Sequence, residues 1–399
     1  MDSISEVTVA ELNEEELEEA ETRQSPTTDN EIEKAYQNLS FRVIYQSNNF
    51  FLPQMKDLIN SKEVINLRPE YQRRLRWSTK KKSLLIESLL LNIPVPPVFF
   101  FESDLARYEV MDGQQRLNAI HDFLENNFAL TGLDKLSFLD GRRYNKLPPK
   151  LRRGLDRASI SAIVLLQETK SDTSDPFLVR RYVFERLNTG GENLNPQEIR
   201  NSIFRGPFND LIVRLARDNT FCRIFGIPEY TETDENEYYE NPARQKNNLY
   251  RRMNDCQIVL RFFALLDESQ IRGSMRNILD NCMKRHEQTG RETLTEYENN
   301  FKTLVNACDQ IFDHKPFLLP PDDTGKQRIS VALFDAFMVA LYRRINRIPD
   351  FIERRQEIQS GIAESLARDL ELLTGRANTA QAIKDRINEI GRVLDLVTN

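Results

Sequence analysis

The sequence predicts an α+β domain followed by a mainly α-helical one. Strand-like segments, rich in β-branched and aromatic residues, are confined to positions before about 168, and almost everything after them repeats apolar residues at helical spacing. The pentapeptide Asp112-Gly113-Gln114-Gln115-Arg116 sits where one pattern changes into the other: Arg107-Tyr108-Glu109-Val110-Met111 alternates, while Leu117, Ile120, His121 and Leu124 recur at helical spacing. The expected division is an acidic tail without fixed structure over 1–40, the α+β domain over 41–205 and the helical domain over 206–399.

Each element has a local reason. From Ile44 the apolar pattern tightens, Pro53 starts a short helix running to Ile59, and Val64 to Leu67 form a short strand. Ser78 caps a helix to about Asn92, with Leu84, Leu85, Ile86, Leu89 and Leu90 as its apolar face and Glu87 interrupting that face. Ile93-Pro94-Val95-Pro96-Pro97 stops it, and Val98 to Phe101 read as a buried strand before the Tyr108 strand and the pentapeptide. Ala158 to Leu166 form another strand, Asp175-Pro176 starts a helix through Leu187, and Asn195, Pro196 and Glu198 supply the N-cap, N1 and N3 residues of the next. Helical patterns then cover 207–219, 247–267, 270–286, 293–312, 328–346 and 351–397, broken by an acidic polar stretch at 229–241 and a Pro-rich one at 316–321. There is no internal repeat.

At 399 residues the chain can build two domains, and 40% hydrophobic with 29% charged residues is the balance of a soluble globular protein. With no apolar run near ~18 residues and no secretory leader, a cytoplasmic protein with no membrane partner is expected. Cys222, Cys256, Cys282 and Cys308 form no C-x-x-C pair, so they read as reduced core residues rather than zinc ligands. His121, His286 and His314 are too few for a His-based metal cage or a Ser-His-Asp arrangement, and His121 is expected simply to pack on its helix. The net charge of -6 divides unevenly: residues 1–33 hold 12 acidic residues against the single Arg23, which leaves 54 basic and 49 acidic residues in the remainder. The body is therefore basic, and the tail is either a solvated extension or a movable screen over a polyanion site.

A strand–glycine turn–helix junction is a place to hold phosphate. Gly113 allows positive φ, the first helical amides point outward unpaired, and the helix dipole favours an anion. Arg116 adds a planar fork for phosphate oxygens, and Asp112 suits Mg²⁺, a water or a hydroxyl donor. The plainer reading makes Asp112 a turn former and Arg116 a surface residue. The stretch Arg68 to Trp77, followed by Lys80, Lys81 and Lys82, interleaves arginines with Tyr71 and the only tryptophan, Trp77, as phosphate binders and stacking platforms or as a solvated basic surface. Asn188 and Thr189, ahead of Gly190-Gly191, are either ligand contacts or part of a helix C-cap. A third basic run, Arg142, Arg143, Lys146, Lys150, Arg152, Arg153 and Arg157, is opposed only by Asp156; it suits a polyanion or a solvated surface equally.

Taken in order, "RPEYQRRLRW", "LLIESLLLNIPVPPVFF", "YEVMDGQQRLNAIHDFL" and "VFERLNTGGENLNPQEIRNSIF" resemble the N-terminal domain of the GmrSD family of modification-dependent restriction proteins, across about residues 45–210. That domain is similar to the ParB/sulfiredoxin fold. The resemblance implies a nucleoside triphosphate, with Mg²⁺, bound and hydrolysed at Asp112, Gly113, Gln114, Gln115 and Arg116. It also implies that Arg73 and Glu87 line the same site, with Asn188 and Thr189 closing it. Asp112, Arg116 and Glu87 are the implied catalytic group, Asp112 the implied metal ligand. Many full-length members carry a C-terminal HNH nuclease; here Asp313-His314-Lys315-Pro316 echoes its motif, yet no histidine follows His314, so the chain is expected to lack that nuclease. The expected function is a nucleotide-dependent regulatory or sensor protein of a restriction or anti-phage system, with DNA and a separate nuclease as partners. Two alternatives stand beside it: a non-catalytic DNA-binding or assembly module, and a ParB-like nuclease using the same pocket.

Overall fold

The computed structural model describes residues 12, 28–37, 43–61, 63–67, 77–166, 176–187, 194–204, 206–230, 241–321, 323–374 and 379–398. The chain separates into two compact units, one spanning Thr22–Leu194 and one containing Asn195–Asn399. Their class is mixed α+β, with the described strands confined to the first unit apart from an isolated Leu318–Ile329 bridge.

In the first unit the described elements run α1 Asp29–Gln37, β1 Tyr45–Phe51, α2 Leu52–Asn60, β2 Ile65–Asn66, α3 Thr79–Leu90, β3 Val98–Asp104, β4 Arg107–Asp112, α4 Gln114–Leu124, α5 Pro149–Arg157, β5 Ser159–Leu165 and α6 Pro176–Leu187. The five strands lie in the order β1-β5-β3-β4-β2. β3 is parallel to β5 and antiparallel to β4; β1 is antiparallel to β5, and the two-residue β2 is parallel to β4. Alternation decides which face is buried: Val98 and Phe100 of β3, with Ile160, Ala162 and Val164 of β5, join the core formed with α2 to α5. Phe101 has the opposite parity, and the Arg180 guanidinium of α6 lies 4.4 Å from its ring centroid.

Most sequence expectations reappear with small shifts. Ser78 caps α3 by accepting the Lys81 amide, and Pro53 enters α2 as foreseen. Three elements were not anticipated. β1 (Tyr-Gln-Ser-Asn-Asn-Phe-Phe) is an edge strand with little burial, so it lacks the alternation that marks a half-buried strand. α5 lies inside the basic run, where charge masks its apolar Leu151 and Leu155. α1 falls in the segment expected to have no fixed structure; Thr28 and Glu31 form a reciprocal cap at its start, donating Thr28 N to Glu31 Oε2 at 3.1 Å and Glu31 N to Thr28 Oγ1 at 3.3 Å.

The second unit is built around two helices buried on every side. All twelve residues of Asn254–Leu265 are buried, as are Val331 to Leu341 of Val331–Tyr342. Arg261 and Asp335 join these helices, the guanidinium donating Nε at 2.9 Å and Nη2 at 2.5 Å to Asp335 Oδ2. Burial pushes the Asp335 carboxyl up, against the pull of Arg261 and Arg386. The patterns at 207–219, 247–267 and 351–397 are each divided. Asp218 caps a new helix, Asn219–Ile224; Met253 adopts φ 56° before Asn254–Leu265; and the last stretch becomes Ile348–Glu353, Arg355–Arg368, Leu370–Thr374 and Ala380–Thr398. Helix α7, Pro196–Ile203, placed on sequence with the first domain, makes its contacts in this second unit: Arg200 Nε donates to Asp280 at 2.6 Å, and Asn195 Nδ2 to the Arg252 carbonyl at 2.7 Å. The Asn195–Glu198 capping box forms as expected. All four cysteines are buried and unbridged. Among the described residues no helix is long and apolar enough to cross a membrane.

Candidate functional site

β4 ends at Asp112, Gly113 alone makes the turn, and α4 begins at Gln114. The turn demands glycine twice over. Gly113 has φ 96° and ψ 8°, and a Cβ there would stand 2.5 Å from Val98 Cγ1 on neighbouring β3. This conformation aims the first amides of α4 out of the sheet. Those of Gln115 and Arg116 have no acceptor among the described residues, and they lie at the positive end of the helix dipole.

Asp112 and Arg116 meet across this turn. Arg116 Nη2 donates to Asp112 Oδ2 at 2.7 Å and to the Pro97 carbonyl at 3.1 Å, while its buried Nε has no partner. The Pro97 carbonyl is available because the proline run before β3 stays outside regular structure. Asp112 keeps Oδ1 open, and its side chain is 34% exposed against 15% for Arg116. The pair is thus a half-satisfied arrangement: unfilled donors on one side and an open carboxylate oxygen on the other. An anion with oxygens at the helix N-terminus would complete the donors.

Gln115 ties the turn to the basic segment upstream, its Oε1 accepting the Trp77 amide at 3.2 Å. Lys81 Nζ lies 4.6 Å from the centroid of the Trp77 indole. Trp77, Lys81 and the pentapeptide therefore share one neighbourhood. Gln114 is buried. Glu109, three residues before the turn, pairs with Arg180 of α6, a contact the sequence did not signal.

Glu87 has other work. Its carboxylate accepts the backbone amides of Asp134 at 3.2 Å and of Lys135 and Leu136, each at 2.7 Å. Burial raises its pKa, but those amides and the Lys135 charge outweigh the burial and hold the carboxyl below the usual range. It is a fixed, ionised acceptor that anchors the 134–136 turn, and no hydrogen bond joins it to the pentapeptide. The described structure shows this anchoring role for Glu87, beside the catalytic one that the family resemblance implies. His121 packs as expected, its Nε2 2.9 Å from Asn60 Oδ1. Arg73, Asn188 and Thr189 lie outside the described residues.

Among the described residues no cluster of three or more His, Cys, Asp or Glu side chains is placed to hold a metal ion. Asp112 is a single carboxylate. This fits a Mg²⁺ ion that takes most of its oxygens from substrate phosphates and water, and it does not fit a resident all-protein cation site.

Residues 55–205 match the family model of the GmrSD restriction endonuclease, N-terminal domain, the family that the four sequence motifs resemble. The match includes the whole of the Asp112–Arg116 turn, Trp77 and Glu87. No curated protein and no solved structure matches the chain.

Proposed function

We propose that residues 55–205, as a GmrSD-type N-terminal domain, bind a nucleoside triphosphate at the Asp112–Arg116 turn, and that this serves a restriction or anti-phage defence system acting on DNA. The observation that carries the reading is the set of open donors at one helix end: the amides of Gln115 and Arg116, and the unpartnered Nε of Arg116. A ParB/sulfiredoxin-like arrangement is consistent with the strand–glycine–helix junction and its place in the sheet.

In this reading the turn amides and the Arg116 guanidinium take up phosphate oxygens, and Gly113 lets them approach without a Cβ in the way. Arg116 turns from Asp112 toward the phosphates, which releases Asp112 to hold Mg²⁺ or orient a water. Mg²⁺, held by Asp112, would supply neutralisation of the negative charge on the phosphates. Trp77 and Lys81 offer a flat, cationic surface beside the turn, suited to a base or ribose. Arg73, Asn188 and Thr189 would complete the pocket by family resemblance. Glu87 acts by holding the 134–136 turn. The helical unit would carry the signal to DNA or to a separate nuclease, and the chain would lack an HNH centre of its own. His314 has a local role that accounts for it, with Nδ1 2.7 Å from Asp309 Oδ2.

One observation favours a second reading, binding without hydrolysis. Asp112 is already paired with Arg116, and a carboxylate that stays there activates no water. Thermal-shift titration with ATP, GTP and CTP, with and without Mg²⁺, tests the first step. One nucleotide should stabilise the protein, by about 2.7 kcal/mol at one hundred times Kd. No stabilisation by any of the three overturns nucleotide binding, and stabilisation without phosphate release selects the second reading.

A further inference from the structure

Helix α5 and the segment leading into it carry positive charge that nothing in the fold uses. Arg142, Lys146, Lys150, Arg152, Arg153 and Arg157 are all exposed, and none forms an ion pair among the described residues. Several arginines elsewhere are matched, among them Arg200 with Asp280, Arg214 with Glu298, Arg223 with Asp309 and Arg344 with Asp395. The one carboxylate inside the run, Asp156, accepts the Tyr144 hydroxyl at 2.5 Å, and burial, followed by that bond, pushes the phenol up to about 12. Crowding like charges on one surface costs stability through mutual repulsion, with no structural return here.

The arrangement is ordered. At about 100° per residue, Lys150, Arg153 and Arg157 fall within roughly 60° of one another on α5 and span about 10 Å of its axis. The opposite side holds Leu155, fully buried, and Leu151, packed against the core. Because the apolar face is already spent inside the unit, α5 cannot insert into a lipid surface as an interfacial helix does. A row of cations about 10 Å long instead suits a DNA strand, which advances about 3.4 Å per phosphate along the duplex axis.

We propose that this face, led by Lys150, Arg153 and Arg157, binds the phosphate backbone of duplex DNA without reading its sequence. Only the choice of DNA as the polyanion rests on the defence-system reading above; the site itself is separate from the nucleotide turn.

The test compares the full chain with Lys150→Glu/Arg153→Glu/Arg157→Glu and with the milder glutamine triple variant, by fluorescence anisotropy on a labelled random-sequence duplex over a salt series. The wild type should bind, and the glutamate variant should bind roughly tenfold more weakly or worse. The log–log salt slope should fall by up to about 2.7, at about 0.9 per lost phosphate contact. The glutamine variant, with an unchanged melting temperature, should shift both quantities in the same direction and decides the matter should the glutamate variant fail to fold. Unchanged affinity and slope would overturn the proposal, as would a wild type that binds phosphatidylserine vesicles and not duplex. Nucleotide thermal shifts measured on the same proteins keep the two readings apart. Loss of DNA binding with the nucleotide shift intact supports the surface, and duplex binding by a wild type that shows no nucleotide shift leaves the surface standing while removing the nucleotide site.

Discussion

Arg116 holds its place with one carboxylate and one carbonyl, and both bonds come from the same nitrogen, Nη2. Removing the side chain costs the core little, yet it takes away the only described guanidinium at the turn. Arg116→Ala should therefore leave the fold intact and abolish nucleotide binding in calorimetry; unchanged affinity would remove Arg116 from the site. Asp112→Ala should act in the opposite sense on binding. It frees Arg116 from its only carboxylate, so affinity should hold within about tenfold or rise, while turnover measured by phosphate release should vanish. Equal turnover would end the assignment of Asp112 to metal or water. Gly113→Ala meets both a positive φ and Val98, and should lower stability by roughly 1–3 kcal/mol in chemical denaturation. At this scale the sequence shows which residues share the turn, because a strand period ends and a helical period begins around them. It does not show that Asp112 and Arg116 pair, since the partner that completes the geometry is the Pro97 carbonyl from another strand's approach. Nor does it show the task of Glu87, whose three amide donors lie 47 to 49 positions downstream.

Elements marked by burial and capping were legible, and those without either were not. Ser78 and Asn195 announce α3 and α7 because cap chemistry is local. β1 and α5 escaped because one is an exposed edge and the other is dominated by charge. The long C-terminal pattern hid its breaks for a different reason: helices Arg355–Arg368 and Ala380–Thr398 share one apolar period, and their separation rests on how they pack. Gly361 allows the close approach, since a Cβ there would lie 2.8 Å from Val393 Cγ1. Glu389 joins the same two helices, accepting Ser365 Oγ at 2.7 Å, Arg392 Nε at 2.9 Å and a further bond from Arg368. The Arg392 bond first, then Ser365 and the Arg368 charge, hold its carboxyl at about 2 against an ordinary 4.5. A depressed carboxyl stabilises fully above its unfolded value and loses that contribution as pH falls through its folded one. Stability of the wild type should thus decline between about pH 4.5 and 2, and Glu389→Gln should show a lower melting temperature at pH 7 with a flatter decline over that window. Parallel curves for the two proteins would show that the interhelical link carries no acid-labile stability.

For the whole molecule the question is what the acidic end of the chain does, since residues 1–33 hold 12 acidic residues and one basic residue ahead of a basic remainder. A screen over the cations of 68–82 and 142–157 is one role that charge alone suggests. The structure adds a constraint. Leu12 is only 6% exposed, and its carbonyl accepts Gln257 Nε2 at 3.1 Å from the buried helix Asn254–Leu265. Deleting residues 1–33 therefore removes a core leucine together with the charge, and burying one such side chain is worth about 1.5–3 kcal/mol. The deletion should lower the melting temperature, which confounds any change in DNA affinity. Glutamine in place of Glu14, Glu15, Glu16, Glu18 and Glu19 keeps Leu12 and takes away charge only. If the tail screens the basic surface, this variant should melt as the wild type does, bind duplex DNA more tightly and show a steeper salt dependence, because more phosphate contacts then release more counterions. Anisotropy over a salt series on the wild type, the deletion and the glutamine variant separates the outcomes. Overlapping lines for wild type and glutamine variant would discard screening and leave the N-terminal segment with the packing role that Leu12 already shows.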